Sequence, residues 1–159
     1  MNLNNINLEK LNLKQSIQNS HKILLNDKPI ELNLDYYSVP FGLEKYSTNF
    51  MIKLSIDHDL VTFIQNFENK LIDLLNIDKD ELSSNLRIDS RFPPLLTCKI
   101  VNRYNKFEGE FKYSDGEFLN IYNIEKKSDI KLSIFVDSVW KINNIFFYKW
   151  KISHIILKK

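Results

Sequence analysis

Apolar and polar side chains alternate most regularly over residues 49–57, where every even position is apolar. This period of two predicts a β-strand. From residue 60 onward the apolar side chains recur at spacings of three and four, which predicts a helix over about residues 59–76 with one apolar face. Asp57 and Asp59 are the candidates for its N-cap, because a carboxylate oxygen accepts hydrogen bonds from the free amides of a first turn.

From residue 95 to the end of the chain the pattern is typical of strands. Clusters of Asn, Asp, Ser, Lys and Gly mark turns between the apolar runs. The expected strands are Leu95–Tyr104, Lys106–Tyr113, Glu117–Ile124, Ile130–Trp140 and Ile145–Leu157. The preceding segment Arg91-Phe92-Pro93-Pro94 is expected to exclude both a helix and a central strand.

The N-terminal part of the chain gives a weaker pattern. Residues 1–20 fit neither period and are interpreted as an arm of uncertain structure. Next, Lys22–Leu25 and Ile30–Leu34 flank the turn-forming residues 26–29, which predicts a β-hairpin. A strand, a helix and then a run of hairpins indicate one mostly β domain over residues 21–159, a small antiparallel barrel or curled sheet with one packed helix at its end.

Composition excludes several classes of protein. An apolar fraction of 43%, with 11 Phe, 7 Tyr and 2 Trp, supports a packed core and argues against disorder. No apolar run approaches the roughly 18 residues of a membrane span, and no basic segment leads into an apolar run at the N-terminus, so we expect an intracellular, soluble protein. One cysteine and three scattered histidines give neither disulfides nor zinc spacing. We therefore expect no metal and no cofactor.

The charge is distributed unevenly along the chain. Residues 1–98 have 10 basic and 13 acidic side chains, whereas residues 99–159 have 12 basic and 7 acidic ones, giving net charges of −3 and +5. The last twenty residues contain five lysines and no carboxylate side chain. This asymmetry favours an anionic partner for the C-terminal half.

Motifs for catalysis are weak. The three glycines are isolated and none opens a helix, which excludes a P-loop. Cys98 lies in the middle of an expected strand and is interpreted as a core side chain. The consecutive residues 57–59 cannot converge on a metal and are expected to cap the helix, and Glu108 and Glu110 are expected to form a solvated strand edge. The sequence therefore predicts a protein that is not an enzyme.

Aromatic and basic side chains are interleaved on the expected C-terminal strands. This combination suits single-stranded nucleic acid, because cations neutralise phosphates and rings stack on bases. The candidate phosphate contacts are Lys99, Arg103, Lys112, Lys141, Lys149 and Lys151. The candidate stacking rings are Tyr104, Phe107, Phe111, Tyr113 and Phe147, with Tyr36, Tyr37 and Tyr46 as additions. Trp140 and Trp150 are assigned to the core. The alternative is that these rings fill a core and the lysines only solvate it.

Two short patterns add a family resemblance. The segment Pro40-Phe41-Gly42-Leu43 followed by Tyr46, and the later Val139-Trp140-Lys141 and Trp150-Lys151-Ile152, resemble the OB-fold single-stranded-DNA-binding proteins of large double-stranded DNA viruses. That family is distantly similar to the phage replication proteins of the same fold, and the resemblance spans roughly residues 28–157. It implies an OB-like barrel and a non-catalytic protein that protects exposed strands in DNA replication, recombination or repair. It also implies that Trp140, Lys141, Trp150 and Lys151 belong to the C-terminal hairpin.

The chain departs from this family at two points. It ends in Ile156-Leu157-Lys158-Lys159, whereas the phage proteins have an acidic tail that recruits partners. Its helix also precedes the position between the third and fourth strands that is commonest in such barrels. Both departures concern partner recruitment and topology, so the expected architecture is unchanged.

Three functions follow from these observations. The preferred one is binding of single-stranded DNA, with replication proteins and further copies of the chain as additional expected partners, in a viral replication compartment or in the host cytoplasm or nucleus. The alternatives are a β-rich structural or protein-interaction subunit of a viral or host assembly, and an RNA-binding module of similar shape. No membrane partner is expected.

Overall fold

The computed structural model describes residues 3–159; residues 1 and 2 of the predicted arm lie outside the described part. One α-helix, α1 (His58–Leu75), and fourteen strands are found within that part. In chain order the strands are β1 (Leu11–Gln15), β2 (Ser20–Leu25), β3 (Ile30–Val39), β4 (Leu43–Tyr46), β5 (Asn49–Ser55), β6 (Leu86–Asp89), β7 (Phe92–Ile100), β8 (Asn102–Arg103), β9 (Lys106–Phe107), β10 (Glu110–Tyr113), β11 (Ser128–Val136), β12 (Ser138–Ile142), β13 (Ile145–Tyr148) and β14 (Trp150–Leu157).

Five of these strands close into a barrel in the cyclic order β3-β5-β7-β14-β11. Four of the pairings are antiparallel, and the parallel pairing of β7 with β14 completes the circle. Five strands in a Greek-key barrel of this kind define an OB fold. The predicted mostly β, OB-like class is therefore confirmed, with one parallel pair in a barrel that was predicted to be antiparallel.

The helix closes one end of the barrel. The Asp57 side chain caps its start by accepting a hydrogen bond of 3.0 Å from the Leu60 amide, and Asn76 ends it in a left-handed conformation. Its apolar face is buried, and the Phe67 ring lies 5.5 Å from Tyr148 and 5.1 Å from Trp150, centre to centre. The predicted helix over residues 59–76 is thus confirmed, and it connects the second and third barrel strands.

The N-terminal segment is more structured than an arm. After two short 3-10 turns, β1 pairs with β2, and both strands join β12 and β13 in a four-stranded sheet. The predicted hairpin between residues 22 and 34 is wrong, because β2 and β3 belong to different sheets. A tight turn does bring Leu25 against Lys28, but the next residue is Pro29, which has no amide hydrogen to continue the ladder.

Two long predicted strands are each divided by a change of sheet. The predicted Ile130–Trp140 divides at Asp137 into β11 and β12, and the predicted Ile145–Leu157 divides at Lys149 into β13 and β14. The first run leaves the barrel at its break and continues in the four-stranded sheet, and the second run passes from that sheet into the barrel. Asp137 and Lys149 therefore mark the corner at which the two sheets meet.

The remaining differences fall between residues 89 and 124. Strand β7 begins at Phe92 and includes both prolines, so their expected exclusion from a strand is wrong. The predicted strand Glu117–Ile124 is also wrong, since this segment forms a single bridge at Phe118 and a 3-10 turn. The Asn120 side chain accepts a hydrogen bond from the Tyr122 amide, which favours the turn over an extended chain.

Candidate nucleic-acid interface

Lysines are concentrated on the outer face of the barrel where β5, β7 and β14 run side by side. Met51 lies opposite Lys99, and Lys99 lies alongside Lys151 of β14. Two residues further along β5, Lys53 lies opposite Thr97 of β7. We call Met51, Lys53, Thr97, Lys99 and Lys149 the cationic face; all five are partly exposed, while the alternate residues of these strands fill the barrel.

Lys99 and Lys149 hold two positive charges close together without a counterion. Neither forms an ion pair within residues 3–159. Burial and the neighbouring Lys99 charge lower the pKa of Lys149 below its ordinary value of 10.5. Two ammonium groups that repel each other in a partly desolvated position favour an anion between them.

Two nearby lysines are already neutralised. Lys151 Nζ lies 3.0 Å from a carboxylate oxygen of Asp137, and Lys53 Nζ lies 3.6 Å from Glu44. Their aliphatic stems still cover the barrel. The uncompensated charge of the cationic face therefore comes from Lys99 and Lys149.

An aromatic pair adjoins the cationic face on the four-stranded sheet. Phe147, which precedes Lys149 on the same side of the chain, stacks on Trp140 with ring centres 6.4 Å apart and planes at 24°. Both rings are partly exposed. The assignment of Trp140 to the core is therefore wrong, because the chain bends at Asp137 and turns this ring outward, whereas Trp150 is fully buried as expected.

Other predicted residues lie elsewhere. Lys141 is on the opposite side of β12, with Nζ 5.6 Å from the centre of the buried Phe146 ring. Lys112 and Tyr113 belong to β10, which pairs with the far half of β14, and Lys159 Nζ lies 5.2 Å from the Tyr113 ring. At about 3.3 Å per residue, Lys112 is some 17 Å from the level of Lys99.

The predicted stacking rings near residues 103–111 separate into three environments. Tyr104 is almost wholly exposed at the tip of the β8–β9 hairpin, where Arg103 pairs with Glu108 at 3.3 Å. Phe107 is half-buried, edge-on to Phe50 at 4.8 Å. Phe111 is buried in the core, so its expected role as a stacking ring is wrong: the parallel pairing of β10 with β14 turns it inward.

The additional tyrosines are divided by their hydroxyl contacts. Tyr37 is half-buried and donates to Asp57, and burial together with that carboxylate raises its pKa. Tyr46 is exposed and donates to Glu44 at 2.6 Å, which raises its pKa. Tyr36 is exposed on β3, with Lys158 Nζ 5.8 Å from its ring. Only Tyr46, whose ring lies 5.9 Å from Lys53 Nζ, is next to the cationic face.

Sequence reasoning missed two exposed rings beside Lys53. Phe41 and Phe92 line one cavity together with Lys53 and Arg87. Gly42 positions Phe41: it has φ +63°, and a Cβ there would lie 2.8 Å from the Ile124 carbonyl oxygen. The Pro-Phe-Gly turn was a usable signal for Phe41, but the distance in sequence between residues 41 and 92 concealed their proximity.

The groups considered for catalysis have structural roles. Cys98 is fully buried, and burial raises the pKa of its thiol. Glu108 forms an ion pair with Arg103, and a carboxylate oxygen of Glu110 lies 3.4 Å from His154 Nε2. Carboxylate oxygens of Asp78, Asp80 and Glu81 lie within 4.8 Å of one another, but Glu81 is already bonded to the Asp78 amide. Asp78 and Asp80 are exposed and Glu81 is partly exposed, and these acids are not by themselves a metal site.

The barrel and its exposed cations and rings define an OB-fold protein with a basic outer face. Among solved structures, the chain is similar to the single-stranded DNA-binding protein from bacteriophage Enc34 in complex with single-stranded DNA, with a TM-score of 0.53 and 12% identity over 95% of this chain and 96% of that one. It is also similar to the C-terminally truncated form of that phage protein, with a TM-score of 0.53 and 10% identity over 95% and 96% of the two chains. At such low identity the likeness establishes the fold alone. No protein-family model and no curated protein sequence matches the chain.

Within the described residues, α1 is not apolar enough over its length to cross a membrane, and no other helix is long enough.

Proposed function

We propose that this protein binds single-stranded DNA without catalysing a reaction on it, and that it protects exposed strands during DNA replication, recombination or repair. The observation that supports this most strongly is the uncompensated pair Lys99 and Lys149 on the outer face of an OB barrel. The face formed by the second and third strands of OB barrels, which here are β5 and β7, commonly binds oligonucleotides. Structural neighbours that bind single-stranded DNA support the same function.

The mechanism is electrostatic attraction followed by stacking. Phosphates displace counterions at Lys99 and Lys149, and Lys53 and Lys151 contribute once a phosphate competes with their carboxylate partners. Rings near the face then stack on unpaired bases, each worth roughly 1–3 kcal/mol. In a duplex the bases are paired and stacked on one another. Its phosphates can therefore contact the lysines, but its bases cannot stack on the aromatic rings. The surface therefore discriminates single strands from duplex.

Fluorescence anisotropy with labelled oligo-dT at two salt concentrations tests this function. We expect binding with a micromolar or lower dissociation constant and weak competition by duplex. A plot of the logarithm of the association constant against the logarithm of the salt concentration should fall with a slope of about 0.7 per contacted phosphate. Equal competition by duplex would reduce the protein to a general polyanion binder. Stronger competition by oligo-U than by oligo-dT would identify RNA as the ligand. A protein that forms oligomers of itself and binds neither oligonucleotide would be identified as a structural subunit.

Tryptophan emission reports the side of the molecule that DNA approaches. Trp150 is fully buried and Trp140 is partly exposed beside Phe147. We expect oligo-dT to quench part of the intrinsic emission, because a base that approaches the aromatic pair changes the surroundings of Trp140 alone. A Trp140→Phe variant should show no quenching when it is titrated with oligo-dT. Quenching that persists in this variant would contradict the predicted approach of a base to Trp140.

The lowered pKa of Lys149 predicts a distinct alkaline pH dependence. Because its pKa is below 10.5 in the free protein, Lys149 loses its charge at lower pH than an ordinary lysine does. We expect affinity for oligo-dT to decline in that range, and complex formation to take up protons, since a phosphate favours the charged form. Arginine remains charged there, so a Lys149→Arg variant should keep its affinity as pH rises. If affinity for oligo-dT falls with pH in the same way in the unmodified protein and in Lys149→Arg, Lys149 does not contact phosphate.

A further inference from the structure

A ring-lined slot lies at one end of the β5–β7 pair. Phe41 and Phe92, which are 46% and 62% exposed, line a cavity of about 310 Å³. No contact between these two rings is found in the described part of the chain, and the guanidinium carbon of Arg91 lies 5.7 Å from the centre of the Phe92 ring. Lys53 and Arg87 line the same cavity, and Lys53 Nζ lies 5.7 Å from the Phe41 ring. Flat apolar walls with adjacent cations suit a nucleobase and its phosphate. We call Phe41 and Phe92 the Phe slot.

A second cleft lies at the opposite end of the same strands. Tyr104 and Tyr122, 97% and 62% exposed, line a cavity of about 470 Å³ together with Lys45 and Lys99. Tyr104 has φ +52°, a left-handed conformation that hairpin turns usually assign to Asn or Gly. The Tyr104 ring makes no aromatic contact among residues 3–159, so packing does not explain a bulky residue in this conformation. We call Tyr104 and Tyr122 the Tyr cleft.

We propose that the Phe slot and the Tyr cleft hold two bases of one DNA strand, while the nucleotides between them contact the protein through phosphates alone. This inference rests on the proposed function. From one cleft to the other, the outward positions of β5 and β7 are Lys53 at the edge of the Phe slot, then Met51 and Thr97, and Lys99 at the edge of the Tyr cleft. None of these four is aromatic, so the two strands offer charge without a stacking surface.

The spacing of the clefts sets the length of strand that reaches both. Leu95 lines the Phe slot and Ile100 lines the Tyr cleft, and five residues of an extended strand span about 17 Å. At the 3.4 Å axial spacing of a stacked strand this corresponds to about five nucleotides, and to fewer in a stretched strand. Once one base is bound, the other cleft is filled at high effective concentration. Affinity should therefore rise steeply at the spanning length.

A length series and abasic substitutions, measured on the full chain, test whether one strand binds in both the Phe slot and the Tyr cleft; we call this arrangement the two-point grip. Anisotropy with oligo-dT of increasing length should show a jump in affinity near the spanning length. In an oligonucleotide just long enough to span, abasic sites in the middle should change affinity less than about threefold. Abasic sites at both ends should lower it by about fivefold to a hundredfold per lost stack. An equal loss for middle and end positions would overturn the two-point grip and indicate continuous stacking.

Variants of exposed rings assign the contacts. Phe92→Ala and Tyr104→Ala should each lower affinity for the spanning oligonucleotide, and each should abolish the jump in the length series. Phe118→Ala is the matched control, because its ring is 80% exposed and lines neither cleft. A jump that persists in both cleft variants would overturn the inference while leaving single-strand binding intact. Failure of the unmodified protein to bind any oligo-dT would instead overturn the proposed function.

Discussion

Replacement of both Lys99 and Lys149 by methionine is expected to lower affinity for oligo-dT by at least about a hundredfold at low salt, because charge-assisted hydrogen bonds contribute roughly 1.5–3 kcal/mol each. The salt dependence should become shallower by about 1.4 in slope, from two phosphate contacts at about 0.7 each. Methionine keeps the length of the half-buried stem and removes the charge. Loss of the repulsion between the two ammonium groups should leave the thermal midpoint unchanged or slightly higher.

The matched control removes two charges elsewhere. Lys10 and Lys79 are exposed and lie on 3-10 turns, away from the cationic face. A Lys10→Met, Lys79→Met variant has the same net charge as the test variant, and we expect its affinity to remain close to that of the unmodified protein. If anisotropy shows equal losses for the two variants, binding depends on net charge and the cationic face has no special role.

The second large effect concerns stability. Phe67→Ala is expected to destabilise the fold by about 3–5 kcal/mol, the usual cost of deleting a buried aromatic ring. Phe67 is fully buried between α1 and the barrel, against Tyr148 and Trp150, so a cavity would open beneath the corner at Lys149. With total stabilities of about 5–15 kcal/mol for domains, this is a large fraction.

Urea unfolding followed by circular dichroism measures this change. The exposed ring Phe118 provides the control, and Phe118→Ala should stay within about 0.5 kcal/mol of the parent. A midpoint for Phe67→Ala equal to that of Phe118→Ala would show that the helix does not contribute to closing the barrel. Binding of the folded fraction should persist, because Phe67 does not reach the cationic face.

Local patterns predicted the elements better than their pairing. Residues 49–57 and 59–76 were predicted within two residues because their periodicity is set by one buried face. The hairpin at residues 22–34 and the strand at residues 117–124 failed, since pairing is decided by distant strands that short-range pattern does not contain. The sheet change at Asp137 is invisible in a continuous apolar alternation.

The candidate interface shows the same division. The alternation of the expected strand Ile145–Leu157 puts Phe147, Lys149 and Lys151 on one side, and the structure turns that side outward. Phe111 failed because its exposure depends on which face of β10 meets β14. Phe41 and Phe92 were missed because they lie fifty-one positions apart and meet only after β5 and β7 pair.

A backbone NMR titration with oligo-dT tests the central claim most directly, because it locates the strand on the folded protein. We expect the largest amide shift changes in residues 41–55, 92–105 and 147–151, which form the cationic face and its two clefts. Amides of α1 and β10 should change little. If the shift changes are concentrated on α1 or β10, and the amides of β5 and β7 do not shift at saturating oligo-dT, the strand does not bind on the cationic face.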